Sequence, residues 1–331
     1  WYLGFHQKKM KKILVTGGTG FIGAAISKYF FDKGYQITIL DNNSRGKLER
    51  ITQSKKKIKF IFGDITKYED VYKASRNQDY IFHLAAINGT KFFYEKPDKV
   101  LDVSCKGIIN VIEAAKKLKI KNIFLASSSE VYHLPNKIPT DESEPIKIPD
   151  ILNPRFSYAG GKILTELMGI NNAKFFNKMI IFRPHNVYGN DMGNEHVIPE
   201  IIKKVKNAKK SIKMKGSGLQ TRSFIYIDDF VEGFDIMFKK GMSGNIYNIG
   251  NPEEISIKNL AEIIFENLNH EVKVITSPLL EGSTKRRCPN IEKLNLLGYV
   301  PKIKIRDGIN KLLEEIRIWN INIFTNVDKN W

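Results

Sequence analysis

The chain has 331 residues, 42% of them hydrophobic, and a formal net charge of +18. That is enough for one large domain or two. No apolar run reaches the length of a membrane span, and the opening WYLGFHQKKM is too short and mixed for a signal peptide, so a cytoplasmic protein without a membrane partner is expected. The lysines lie in stretches such as QSKKKIKF, AKKLKIKN and IIKKVKNAKKSIKMK, alternating with apolar positions as solvated faces do, and no nucleic-acid partner is expected. Cys105 and Cys288 have no metal-like spacing and read as free thiols, with no metal.

The first element is a strand over 12–16, where Ile13-Leu14-Val15 is apolar on both faces. A helix over 21–33 follows, with Phe21, Ile22, Ala25, Ile26, Tyr29 and Phe30 at helical spacing. Between them Gly17, Gly20 and Gly23 form G-x-x-G-x-x-G. Glycine there permits a tight turn, close approach of N–H groups to a phosphate and close helix–strand packing. The helix start, with Phe21 and Ile22, then faces a pyrophosphate. A second strand over 36–40 ends in Asp41-Asn42, where a carboxylate accepts the adenosine ribose hydroxyls and repels a 2′-phosphate. NAD is favoured over NADP, with Arg45 nearby as the one opposing charge. A third strand, 58–62, leads to FGDIT, where Asp64 and Ile65 are placed to bind an adenine. The alternative for Asp64 is a helix cap.

Strands over 80–84, 122–126 and 178–182 alternate with helices over 68–75, 98–118 and 158–175. This predicts a doubly wound parallel α/β sheet. The proline-rich stretch 133–153 reads as an irregular functional loop. After about 187 the segments shorten, with helices near 257–268 and 306–319. The expected division is a dinucleotide domain over 11–187 plus about 224–243, a smaller C-terminal α/β substrate lobe over about 188–223 and 244–318, and terminal extensions at 1–10 and 319–331.

Chemistry is expected from IFLASSSEVYH and RFSYAGGKILTELM. Tyr158 and Lys162 lie four apart, on one face of a helix. The ammonium and an oxidised nicotinamide are expected to lower the phenol toward neutrality. Tyr158 then takes a proton from a substrate hydroxyl, Ser128 holds the same oxygen, and Lys162 also reaches the nicotinamide ribose.

At this point the sequence resembles the extended short-chain dehydrogenases/reductases that act on nucleotide sugars. The matching pieces are TGGTGFIG, GDIT, HLAA, SSSEVY, YAGGK, RPHNVYG, GSGLQTRSFIYIDDF, YNIGNPEE and KRRCPNIEKLNLLGYVPK. The resemblance implies a Rossmann domain with a sugar-nucleotide lobe, NAD as cofactor, a nucleotide-diphosphate sugar as substrate, and a homodimer packed through helices or a higher homo-oligomer. It places Leu84, Ala85 and Ala86 at the cofactor, with Ser128, Tyr158 and Lys162 at the catalytic positions. Glu130 matches an acidic residue near the sugar. Ser129 and Asn186 match substrate contacts, and Arg222 with Arg286 or Arg287 matches a diphosphate clamp, as suits guanidinium forks.

Members begin by oxidising a sugar carbinol, usually at C4. Ser129 stands where 4,6-dehydratases carry an acid, which argues against dehydration. A 4-epimerase or C4 dehydrogenase/reductase is favoured, on an unusual hexose or heptose, with a nucleotide-glucuronate decarboxylase as the alternative and a non-catalytic nucleotide-binding module ranked low. His133 replaces the usual glycine and Ser104 the usual asparagine, while Glu195 and His196 match no family position.

Overall fold

The computed structural model describes residues 10–52, 58–193, 196–208, 210–270, 272–278 and 284–327. In chain order they form β1 (Lys12–Thr16), α1 (Phe21–Asp32), β2 (Gln36–Asp41), α2 (Glu49–Thr52), β3 (Lys59–Phe62), α3 (Tyr68–Ser75), β4 (Tyr80–His83), α4 (Thr90–Glu95), α5 (Pro97–Lys117), β5 (Asn122–Ala126), α6 (Ser157–Asn172) and β6 (Lys178–Pro184). Then come β7 (Val187–Tyr188), α7 (Val197–Lys206), β8 (Ser211–Lys215), β9 (Thr221–Ser223), β10 (Ile225–Tyr226), α8 (Ile227–Lys240), β11 (Asn245–Ile249), β12 (Glu254–Ser256), α9 (Ile257–Leu268), β13 (Lys273–Ser277), β14 (Arg286–Arg287), α10 (Glu292–Asn295) and α11 (Ile305–Val327).

Seven parallel strands run in the order β11-β6-β5-β4-β1-β2-β3. On β1, Ile13 and Val15 enter the core shared with α1 and α8, while Leu14 enters the core beneath α3 and α5. Both faces are covered, so the strand carries no polar alternation. Each of these side chains contributes about 1.5–3 kcal/mol by burial. The chain runs outward from β1 through β2 to β3, then crosses back to place β4 on the other side of β1. The carboxyl ends there frame a crevice of the kind in which α/β sheets bind ligands.

A second core joins Ile198, Ile201 and Ile202 of α7, Leu260 and Ile264 of α9, and Ile309 and Leu312 of α11. Strand β8 alternates Lys213 and Lys215 outward with Ile212 and Met214 inward, so its lysines do lie on a solvated face. Two details differ from the sequence reading. Asn245–Ile249 pairs with β6 and completes the main sheet, so a boundary at 244 would separate that strand from its sheet. Its asparagines hid a strand whose partner supplies the pattern. The last helix runs to Val327 rather than ending near 319, since no glycine or proline follows Gly308 to stop it.

Candidate active site

The crevice begins at the glycine turn. Gly17 has φ +73°, in the left-handed region, and a Cβ there would stand 2.8 Å from the Ala85 backbone. A Cβ on Gly23 would lie 2.1 Å from the Gly17 carbonyl oxygen. The turn is compressed against its own helix and admits only hydrogens at both positions. Gly20 is the N-cap of α1, with no side-chain cap and no acidic residue in the first turn. The unpaired N–H groups there suit an anionic diphosphate. Phe21 and Ile22 line the crevice beside them, and Leu84, Ala85 and Ala86 also line it.

Asp41 ends β2 and accepts from Thr19 N at 3.1 Å and Asn43 N at 2.8 Å. It shapes the turn while facing the crevice with Asn42. Asp64 accepts from the N–H and hydroxyl of Thr66 at 2.9 and 2.8 Å, and from Asn42 at 3.4 Å. Burial pushes this carboxyl up, but those bonds outweigh it and leave it lowered. This is a side-chain turn onto Thr66 and not a helix cap, since Lys67 is the N-cap of α3, and Asp64 and Ile65 both line the crevice. Glycine turn, helix start and ribose-side carboxylate together fit NAD.

The candidate reactive groups meet where β5 ends. Asn153 caps the turn at Pro154–Phe156 by accepting from Arg155 N at 3.0 Å, and α6 starts there. Tyr158 and Lys162 share a face, with the ammonium 5.7 Å from the tyrosine ring centroid. Lys162 Nζ donates to the Ala126 carbonyl at 2.8 Å. Ser128 lies beside the Tyr158 phenol and favours its ionised form, and its hydroxyl accepts from Glu130 N at 3.2 Å.

The groups of the chain alone set the starting point for the phenol. Burial raises the Tyr158 phenol above its ordinary range, with Ser128 opposing and Glu130 adding to the rise. Burial also lowers Lys162 to about 8, against the pull of Glu166. The ammonium is committed to a carbonyl and desolvation dominates, so the chain by itself does not bring the phenol toward neutrality.

Glu130 is paired with Arg287 at 2.7 Å and approached by Arg155 at 3.9 Å. Burial raises its carboxyl, but Arg287, Arg155 and Arg222 outweigh that and hold it at about 2. Arg222 donates to the Thr221 and Thr284 carbonyls, both at 2.7 Å. Burial, and then Arg287, lower it to about 10. Strand alternation sends Arg286 and Arg287 to opposite sides of β14. Arg287 lines the crevice, whereas Arg286 is turned outward onto Glu254 at 2.8 Å. Arg286 is thus not part of the crevice.

Loop 133–153 carries this arrangement. Thr140 N donates to Cys288 O and Asn290 N to Thr140 O, both at 2.8 Å, docking the Arg287 segment across from Glu130. Ser129 and His196 line the crevice. Asn186 lines it too, with φ +41° and its amide on Ser223 O at 2.8 Å. His133 has φ +47°, which explains why glycine suits that position, and sets its ring edge-on to Phe156 at 4.7 Å. Ser104 packs against Gly161. Glu195 lies outside the described residues. Both cysteines are free, and no metal-ligand group occurs among the described residues. Among those residues no helix is long and apolar enough to cross a membrane.

Sequence reasoning missed Arg155 and Phe93. Arg155 lies three residues before Tyr158, one short helical turn away, and that spacing was a usable signal. Phe93 is on α4, a helix too short to show periodicity.

Fold and site together define an enzyme built around a dinucleotide cofactor, of the short-chain dehydrogenase/reductase type. Residues 13–250 match the NAD dependent epimerase/dehydratase family; the chain belongs to that family, and its cofactor is NAD. It is 30% identical over 317 residues to the UDP-N-acetyl-alpha-D-glucosaminuronate decarboxylase of Bacillus cytotoxicus, covering 93% of this chain and 98% of that one. It is 31% identical over 335 residues to the human dTDP-D-glucose 4,6-dehydratase, covering 96% and 93%. The solved structure of an epimerase from Methanothermobacter thermautotrophicus matches with TM-score 0.85 and 28% identity, covering 97% and 95%. Similar identity to three chemistries leaves the outcome of the reaction to the site residues.

Proposed function

We propose that this enzyme modifies a nucleotide-linked sugar through oxidation at C4, as a 4-epimerase or C4 dehydrogenase/reductase. The observation that carries the reading is the Ser128–Tyr158–Lys162 cluster at the end of β5, beside the glycine turn. When bound, NAD supplies a two-electron acceptor and, when oxidised, a positive ring charge. Tyr158 accepts the carbinol proton, and Ser128 orients that oxygen. Lys162 holds the helix face against Ala126 and provides the cation that favours a phenolate. Gly17, Gly20, Phe21, Ile22, Gly23, Asp41, Asn42, Ile65, Leu84, Ala85 and Ala86 hold the dinucleotide. Ser129 and Asn186 contact the sugar nucleotide, and Arg287, with Arg222 behind it, grips its diphosphate.

Ser129 offers no acid for water loss, which disfavours dehydration. A second reading, decarboxylation of a nucleotide uronate, is favoured by one observation. Three guanidiniums surround the single carboxylate of Glu130, an excess of positive charge that suits a substrate carboxylate. A homodimer through α5 and α6 accords with exposed Leu101, Ile109, Leu167 and Ile170 on those helices. The division of labour is a dinucleotide domain that includes β11 and a sugar-nucleotide lobe around α7, α9 and α11.

The test is mass spectrometry of products from UDP-, GDP- and dTDP-sugars, uronates included, with NADH absorbance followed in the same tubes. Tyr158→Phe is expected to lose about 10²-fold or more in turnover while still binding nucleotide. Unaltered turnover refutes the assigned base, and carbon dioxide from a uronate selects the second reading.

A further inference from the structure

The Tyr158 ring does not stand free on α6. It is stacked on Phe93, with centroids 5.0 Å apart and planes 13° from parallel. Phe93 is 3% exposed and forms, with Val100, a small apolar cluster around the phenol. That cluster is separate from the cores that hold the sheet, so its packing bears on the reactive group more than on the fold.

Phe93 sits on α4, which starts after Gly89 at φ +133°, a conformation that glycine alone adopts readily. The preceding residue, Phe92, has the Arg45 guanidinium 4.2 Å from its ring centroid. Arg45, Gly89, Phe93 and Tyr158 all line the crevice. Two consecutive phenylalanines thus tie one short helix to the loop after β2 and to the phenol.

A tyrosine oxygen in a reacting geometry needs two constraints. Ser128, in the same crevice, faces its tip. The plane of the ring is set by whatever lies against its face, and aromatic pairs hold preferred ring-to-ring geometries, offset-stacked or edge-to-face, that an aliphatic side chain does not impose. Small errors in such a placement are costly for reaction rate, because misplacement by about 1 Å loses about 10²-fold.

We propose that Phe93 is a positioning residue for Tyr158, its stacked ring fixing the plane of the phenol against Ser128, with α4 pinned by Arg45 on Phe92. This rests on the reading of Tyr158 as the proton acceptor.

The experiment compares wild type, Phe93→Leu, Phe93→Tyr and Tyr158→Phe, all loaded with NAD. Thermal unfolding and NAD calorimetry check the fold. The ring-flip rate of Tyr158 is read by NMR on ring-labelled tyrosine, with Tyr158→Phe assigning the signal. This readout needs no substrate. Phe93→Leu is expected to flip about tenfold faster and to lose about tenfold in kcat with KM within about twofold, while Phe93→Tyr restores both. Phe93→Met carries the same expectations if the leucine variant does not fold. Unchanged flipping and kcat overturn the proposal, and so does a change confined to KM, which would make Phe93 a substrate contact. If Tyr158→Phe turns over normally, the assignment of the base fails; if it is inactive while Phe93→Leu is normal, only the positioning role fails.

Discussion

Replacing Glu130 by glutamine keeps the shape of the side chain and removes the single carboxylate among three guanidiniums. Arg287 lies at 2.7 Å and Arg155 at 3.9 Å, with Arg222 adding to the field. Breaking a buried ion pair costs about 3–5 kcal/mol. The Glu130 side chain is 25% exposed and that of Arg287 11%. Solvent screening and the surviving amide hydrogen bond therefore bring the expected loss to about 2–3 kcal/mol. The pH dependence has a definite sign. The folded carboxyl is held at about 2, below its ordinary value of 4.5. Its stabilisation is present above 4.5 and disappears as pH falls toward 2, by about 1.4 kcal/mol per unit. Urea unfolding of wild type and Glu130→Gln at pH 7 and pH 3 reads this directly. The gap between them should be widest at pH 7 and shrink by about 2 kcal/mol at pH 3. A gap that is absent at pH 7, or equal at both values, would refute the assignment of these arginines to one carboxylate.

Other predictions test the crevice piece by piece. Gly23→Ala drives a methyl to 2.1 Å from a backbone oxygen that cannot rotate away. It should cost about 2 kcal/mol or more and weaken NAD binding by at least about tenfold. Gly34→Ala, at φ +88° with nothing within 4 Å, should cost about 1 kcal/mol and leave NAD binding unchanged; equal NAD affinities in calorimetry would contradict the compressed turn. Arg287→Ala should weaken binding of the nucleoside diphosphate that the product screen selects about tenfold while Arg286→Ala stays within about twofold, and the reverse order in a titration would overturn the facing of β14. Asp41→Ala should narrow the preference for NAD over NADP, and an unchanged ratio of the two affinities would count against its ribose role.

Much of the site was legible before any tertiary contact was known. The glycine turn, Asp41 after the second strand, and the Tyr158–Lys162 pair all follow from short-range geometry. Other parts were hidden because their partners are distant. Arg287 and Arg286 are adjacent in sequence, and only the strand that carries them sends one to Glu130 and the other to Glu254. β11 is a strand because β6 lies beside it. The long loop looked irregular and is so, yet Thr140 docks it on Cys288 and Asn290.

By itself the sequence determined the local grammar: strand, glycine turn, helix start, and two reactive side chains one helical turn apart. Backbone sterics and helical periodicity act over a few residues, so those features need no fold to be read. The tertiary structure alone decided which guanidinium meets Glu130 across 157 positions, which ring lies against Tyr158, and how deeply its phenol is buried. Those outcomes depend on desolvation and on contacts between remote segments, and both exist only once the chain has closed on itself.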